Sequence, residues 1–582
     1  MRYLRMLSNS VAAALLGAGY VLVLVLQLNP ALPLAPSALV PLAENVGAFY
    51  AIHLTVAFYV LIVVRQILAR ELFSPAWLSA RELLWMGAVA AAAGSALMWA
   101  NARAFETGLD ASTIDRLKED AALLAAAAAA FAAAGVVRSR TSPAAHARWG
   151  AAVLGIATAS LAGPLALRGP GQPAPLNARP IETWSASAAA DRSPHVIVIA
   201  VDAASLDILT SATAQGRLPN FGRILDAGAV MRLATIRPTA AEAVWAAVST
   251  GKLPPKNGVQ SAGIYRLVGA SDPIQLLPDY CFAQGLVRFG FVSDEAHTSA
   301  TLRVRPLWTI LSALGTSVGV VAWPLTHPAP VVRGYLVSDA FVRLAATASG
   351  IEGSAAVYPP AAEPAAAAAL EAESREPPVL AAAAPGIDRR FEEPGRIDRA
   401  DDRIAAALAA ERPVQVTMVR YLSLDPIGHY FLRYAAPVEF GEIVGSSQRD
   451  LALVLERHYA AIDQAVGRAM ASLRGDDLLL VISGYGMEPV GVARRLLERA
   501  IGDRELSGTH DGGPDGFLLA YGAQAAAGRL RARGSVVDLV PTILYFLGLP
   551  IGRDMDGYAR TDLFQRSFTD ARPITYIPTY DR

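Results

Sequence analysis

Five apolar stretches near the N-terminus, residues 11–28, 46–64, 83–100, 121–137 and 149–167, constrain this chain more than any other feature. Each approaches the roughly 20 residues a helix needs to cross a bilayer. Residues 1–168 are therefore expected to form a membrane domain with five transmembrane helices. The fourth stretch is mostly alanine, Ala125 to Ala134 with Phe131 between, and a soluble helix is its alternative reading. The first could be the apolar core of a signal peptide, but the four later stretches favour a retained helix. Hydrophobic residues make up 53% of the 582-residue chain, and the surplus is concentrated in this region.

The charges between the stretches imply an orientation. Arg2 and Arg5 precede the first, Arg65, Arg70 and Arg81 lie between the second and third, and Arg138, Arg140 and Arg148 between the fourth and fifth. The connection from the first to the second has no Lys or Arg, and Arg103, Arg116 and Lys118 after the third are offset by acidic residues. Excess positive charge stays on the cytoplasmic side. The expectation is an integral protein of a bacterial cytoplasmic membrane, with its N-terminus inside and its C-terminal domain periplasmic. Its partners are then the lipid bilayer and an extracytoplasmic ligand or protein that the sequence does not identify. Lys plus Arg, 51, equals Asp plus Glu, 51, so charge provides no basis for binding nucleic acid. Cys281 is the sole cysteine and reads as a packed small residue.

Residues 169–193 are rich in Pro, Ala, Gly and Ser and read as a linker. A globular domain, 194–564, comes next, with a tail at 565–582. Val196-Ile197-Val198-Ile199-Ala200-Val201 is the continuous apolar, mostly β-branched run of a central parallel strand. Leu478 to Ile482 and Val416 to Val419 read likewise, and amphipathic helical stretches such as 457–472 lie between. Alternating strands and helices predict an α/β domain with a mostly parallel sheet between helices. The Ala/Pro/Glu-rich stretch 352–396 reads as a lid or loosely ordered insertion.

Several stretches in this domain occur in a telling order: Val198 to Asp202; Gly216 to Phe221; Pro238-Thr239 followed by Trp245 and Thr250-Gly251; Trp323-Pro324; Val337-Ser338-Asp339; Asp425-Pro426-Ile427-Gly428-His429; Ser507-Gly508-Thr509-His510; and Asp538 to Thr542. Together they resemble the alkaline phosphatase superfamily, in its type I phosphodiesterase/nucleotide pyrophosphatase branch, over about 194–564. The resemblance implies a metal site beyond the C-terminal ends of the strands. It also implies two metals, usually zinc, flanking the phosphoryl group. One would take an Asp and two His. The other would take an Asp after the first strand, a Ser or Thr nucleophile and an Asp-His pair.

The residues fill only half of that pattern. Asp425 and His429, four apart, could share one face of a helical turn, and His510 would complete a three-ligand site for one zinc. Without the family, Asp425 reads as a helix cap and His429 as a buried hydrogen-bonding His. On the other side Asp202 is a weaker metal candidate, with strand-end capping as its alternative. The Ser-Asp-His-Gly of the pattern is here Ser483-Gly484-Tyr485-Gly486, so the second metal site is predicted lost. Ala241 occupies the nucleophile position and cannot form a phosphoryl-enzyme. Thr239 is a weak substitute that reads better as the N-cap of a Thr239-x-x-Glu242 capping box. The family's His-Gly after this helix is Asn257-Gly258. His297 and His327 read as solvated loop residues, Asp207 and Asp463 as helix-surface charges, and His53 as a helix-packing group.

Three functions are expected from these residues. The first is a membrane-anchored pseudoenzyme that binds or regulates a partner. The second is a phosphoric ester hydrolase working with a single metal. The third is a phosphoethanolamine-type transferase, because membrane helices ahead of an alkaline-phosphatase-like domain look like the layout of phosphoethanolamine transferases and lipoteichoic acid synthases.

Overall fold

A computed structural model describes residues 1–69, 75–140, 146–169, 194–270, 272–347, 355–376, 391–435, 449–501, 505–528 and 531–581. Arg70, the linker from 170 to 193 and parts of the 352–396 stretch lie outside the described residues. The chain forms two compact units. One holds the N-terminal helices together with 263–296, the other 194–262 and 297 onward.

Among the described residues of the first unit, five helices are long and apolar enough to cross a membrane. They are α1 (Arg2–Leu28), α2 (Ala48–Ala69), α3 (Ala80–Ala104), α4 (Ala111–Ser139) and α5 (His146–Arg168). Alanine, the strongest helix former, carries α4. Asp110 caps its N-terminus by accepting the Thr113 N–H at 3.0 Å. Two polar contacts link helices of the bundle: Gln27 Nε2 donates to Asp120 at 2.7 Å, and Arg65 pairs with Glu82 at 2.9 Å.

In the second unit nine strands form one sheet. In chain order they are β1 (Val196–Val201), β2 (Ala229–Ala234), β3 (Val318–Val321), β4 (Gly334–Val337), β5 (Val357–Tyr358), β6 (Val416–Tyr421), β7 (Leu478–Tyr485), β8 (Asp515–Gly522) and β9 (Gly534–Ser535). Across the sheet they run β9-β2-β8-β7-β1-β6-β3-β4-β5. β1 lies between β6 and β7, parallel to both. β8 runs antiparallel to β7 and β2, and β5 antiparallel to β4. Five of the six β1 side chains are buried, as expected of an apolar run covered on both faces. Each buried Val or Ile there contributes about 1.5–3 kcal/mol.

The Ala/Pro/Glu-rich stretch is ordered where it is described. Glu363–Ser374 is a helix and Glu393–Glu411 another. Buried Glu373 joins them by pairing with Arg399 at 2.6 Å and Arg403 at 2.8 Å. Two expectations are corrected. Asp463 is not a surface charge: it is 3% exposed and accepts the backbone N–H of Asn220 and Phe221 at 3.0 and 2.8 Å, the first turn of helix Pro219–Ala227. His297 is not solvated. It is buried, its Nε2 contacts the Ser261 carbonyl at 3.0 Å, and burial pushes its pKa down to about 4. Asp207 is a surface charge, paired with Arg232.

Candidate metal centre

Three parallel strands, β1, β6 and β7, end at one edge of the sheet, and the site is built on the segments that leave them. The chain leaves β6, turns at Leu422-Ser423 and enters α7 (Leu424–Ala435). Buried Asp398 holds this turn by accepting the N–H groups of Leu422 and Ser423 at 2.7 and 3.1 Å. Asp425 lies in the first turn of α7 and His429 one turn later. The segment carrying His510 approaches as a short strand, Gly508–Thr509. The close fit requires glycine: a Cβ on Gly508 would stand 2.4 Å from the Gly428 carbonyl oxygen.

This packing brings together Asp425, His429 and His510, whose ligand atoms all lie within 4.8 Å of one another. Asp425 Oδ1 is 3.7 Å from His429 Nε2 and 3.4 Å from His510 Nε2. Ligands at 2.0–2.2 Å around a tetrahedral metal stand about 3.3–3.6 Å apart. Hydrogen bonding sets the tautomers. His429 Nδ1 is 2.8 Å from the Gly508 carbonyl, and His510 Nδ1 is 3.0 Å from the Thr239 carbonyl. A carbonyl only accepts, so both Nδ1 atoms carry the proton, and in a neutral ring Nε2 presents a lone pair. Burial holds His510 down at about 4, so it is neutral at pH 7 and its contact with Asp425 is no ion pair. Asp425 Oδ1 is buried without a hydrogen-bond partner. Three acceptors cluster here, and the carboxylate oxygen among them has no hydrogen-bond partner, an arrangement that fits a divalent cation.

The opposite wall is different. Asp202 follows β1 directly, and its carboxylate is taken by Arg420 in a two-point pair. Nε donates to Oδ1 at 2.9 Å and Nη2 donates to Oδ2. Strand register makes the pair, because Ala200 lies opposite Arg420 and Val201 opposite Tyr421. Asp202 is 1% exposed. Burial works against the charged guanidinium, yet Asp202 beside it holds Arg420 above the ordinary arginine pKa.

Gly484 and Tyr485 end β7 beside this pair. A Cβ on Gly484 would stand 2.5 Å from Val244 of α6 (Ala241–Thr250), so no ligating side chain fits there. Gly484→Asp, which would rebuild part of the family pattern, is expected to destabilise the unit. The loss in chemical unfolding should exceed the about 1–3 kcal/mol of overpacking, because a charge is buried as well. A variant as stable as the parent would show that the helix can move aside. The Tyr485 ring lies 4.9 Å from that of His510. Its hydroxyl is buried without a partner, and burial, reinforced by Asp202 and Asp425, keeps it protonated.

α6 begins at Ala241, the residue expected at the nucleophile position. The expected capping box does not form. The N-cap is Ala240, which makes no side-chain bond, and Thr239 Oγ1 donates instead to the Ile236 carbonyl at 2.9 Å. Helix α6 starts one residue later than the box requires, and Glu242 is turned inward. Burial pushes Glu242 up to about 7, with Asp202 and Asp425 adding to the shift and Arg420 opposing it. Asn257 is buried, and its side chain donates to the Lys252 carbonyl at 2.8 Å and accepts the Val259 N–H at 2.9 Å.

Sequence reasoning missed Arg420, Glu242 and Asp398. Arg420 had a visible signal, as the one charge in an otherwise buried strand-like run, Val416 to Tyr421. Asp398 had none, because it sits in a helix among other charges, and Glu242 was read as the end of a capping box.

A model of the type I phosphodiesterase / nucleotide pyrophosphatase family matches residues 196–539. Among solved structures, murine ectonucleotide pyrophosphatase / phosphodiesterase 5 is similar at 11% identity, covering 64% of this chain and 100% of that one, with a TM-score of 0.37. An inactive form of the murine protein in complex with AMP is similar at 12% identity, with the same coverage and a TM-score of 0.37. Curated proteins yield no match.

Proposed function

The chain belongs to the type I phosphodiesterase / nucleotide pyrophosphatase family, and we propose that it is a membrane-anchored pseudoenzyme of that family, keeping one zinc site and binding a ligand or partner instead of turning over phosphodiesters. The observation that carries this reading is Arg420 on Asp202. A two-metal site places its ions about 4 Å apart. Here a fixed cation already neutralises the carboxylate that a second ion would need, and Gly484 and Tyr485 supply nothing further. Ala241 has no hydroxyl to attack with. Zinc held by Asp425, His429 and His510 would supply a Lewis acid, and Arg420 and the free Tyr485 hydroxyl would supply donors to an anionic ligand beside it. The distribution of arginines between the helices supports a cytoplasmic N-terminus and an extracytoplasmic domain.

The test is hydrolysis of bis-p-nitrophenyl phosphate by the full chain, purified in detergent and supplied with zinc. The expected rate equals that of His429→Ala. Hydrolysis that His429→Ala abolishes would overturn the pseudoenzyme reading.

One observation favours a second reading, a single-metal hydrolase. Glu242 sits within electrostatic reach of the metal trio with its pKa near 7, where a carboxylate can take a proton from an attacking water. In that case Glu242→Gln would lose activity while retaining zinc.

A further inference from the structure

Residues 263–296 leave the sequence of the α/β domain and fold with the membrane-type helices. Strands Gly263–Leu267 and Val292–Ala296 pair as an antiparallel hairpin, and the chain between them crosses one end of the bundle. Asparagines hold it there by its backbone. Asn29 Nδ2 donates to the Leu276 carbonyl at 2.8 Å, and its Oδ1 accepts the N–H groups of Gln275 and Leu276 at 2.9 and 3.0 Å. Asn101 holds both backbone groups of Asp279, and Asn45 donates to the Val268 carbonyl at 3.1 Å. These positions share one level: Asn29 ends α1, Asn101 lies in the last turns of α3, and Asn45 precedes α2. Arg168, the last residue of α5, donates to the carbonyls of Leu26, Asn29 and Leu32.

The inner face of the segment is satisfied by burial, with Ile274, Leu276 and Leu286 at most 3% exposed. The outer face is not. Val268, Tyr280, Phe282 and Phe289 are 67, 71, 44 and 58% exposed. Phe289 lies 6.3 Å from Phe49 and 6.4 Å from His53, beside the first turns of α2. Ile52 and Val56 on that helix are 59 and 61% exposed, so the aromatic surface continues an apolar helix face. Tyr280 (φ 62°) and Phe282 (φ 57°) also adopt left-handed backbone conformations, which glycine or asparagine would take at lower cost. Local conformation therefore does not account for aromatic side chains there. Clustered exposed aromatics at the ends of membrane helices are the pattern of an interfacial belt.

We propose that this segment is an interfacial membrane anchor, with Tyr280, Phe282 and Phe289 lying in the headgroup region of the lipid bilayer. The base of the hairpin stays in water, where exposed Arg266 pairs with Glu295 at 2.6 Å. The test is spin labelling of the full chain in vesicles of phosphatidylcholine and phosphatidylglycerol. Cys281→Ser removes the native thiol while keeping a hydroxyl for Tyr50, which contacts the sulfur at 3.2 Å. Labels are placed at Phe289→Cys or, should that variant misfold, Tyr280→Cys. Asp294→Cys is the aqueous reference and Val56→Cys the lipid reference. The expected result is accessibility to oxygen relative to a water-soluble nickel complex several-fold above the Asp294 label and close to the Val56 label. A ratio equal to that of the Asp294 label would overturn the proposal. So would shielding from both reagents, which would mean that a second copy of the chain covers the face.

Discussion

Arg420→Ala is expected to cost the α/β unit about 3–5 kcal/mol, the scale for removing one partner of a buried ion pair. The loss is large because Asp202 is 1% exposed and would keep a charge without its two-point partner. It would not come from forfeiting a strongly stabilising bond, since a buried pair returns little beyond its own desolvation. A double variant, Asp202→Asn with Arg420→Gln, is therefore expected to recover most of the loss. Hydrogen exchange of the β1 and β6 amides in the detergent-solubilised chain reports the local opening energy. A single variant within about 1 kcal/mol of the parent, the range of ordinary substitutions, would mean that Asp202 finds another partner or takes a proton. The proposed role of Arg420 as a resident cation would then fail.

The second large effect concerns the metal. His510→Ala removes one of three ligands, and zinc affinity should fall by more than the ~10–100-fold typical of disturbing an outer hydrogen bond. Because the hydrogen bond from His510 Nδ1 to the Thr239 carbonyl also disappears, the turn before α6 loses a tie. His510→Gln serves as a second variant that can keep a donor there. The parent should bind about one zinc per chain with three protein ligands, measured by equilibrium dialysis and elemental analysis. Parent protein that binds no zinc would remove the metal centre. Binding that survives both variants would mean the ion sits elsewhere.

Much of the fold was legible because its causes are local. Apolar length alone marks the five helices, including alanine-rich α4, where propensity and hydropathy act together. The β-branched run 196–201 marks the central strand, since a strand buried on both faces cannot alternate. Asp425 and His429 were legible as a pair because helical periodicity spans only four residues. The capping box failed for a related reason: Thr-x-x-Glu is a local motif, but buried Thr239 and half-buried Glu242 answer to the site around them. Asp463 and His297 were misread as exposed because burial is set by the segments that pack over a residue.

The sequence by itself determined the elements: which stretches are apolar enough for lipid, which run suits the middle of a sheet, and which residue types can hold a metal. Tertiary structure alone decided the partners. Arg420 reaches Asp202 across 218 residues of chain because β1 and β6 pair in one register. His510 meets Asp425 because Gly508 allows close approach, and 263–296 joins the helices because asparagines at one end of the bundle bond its backbone. Such contacts depend on geometry between segments remote in the chain, which short-range periodicity and composition do not encode.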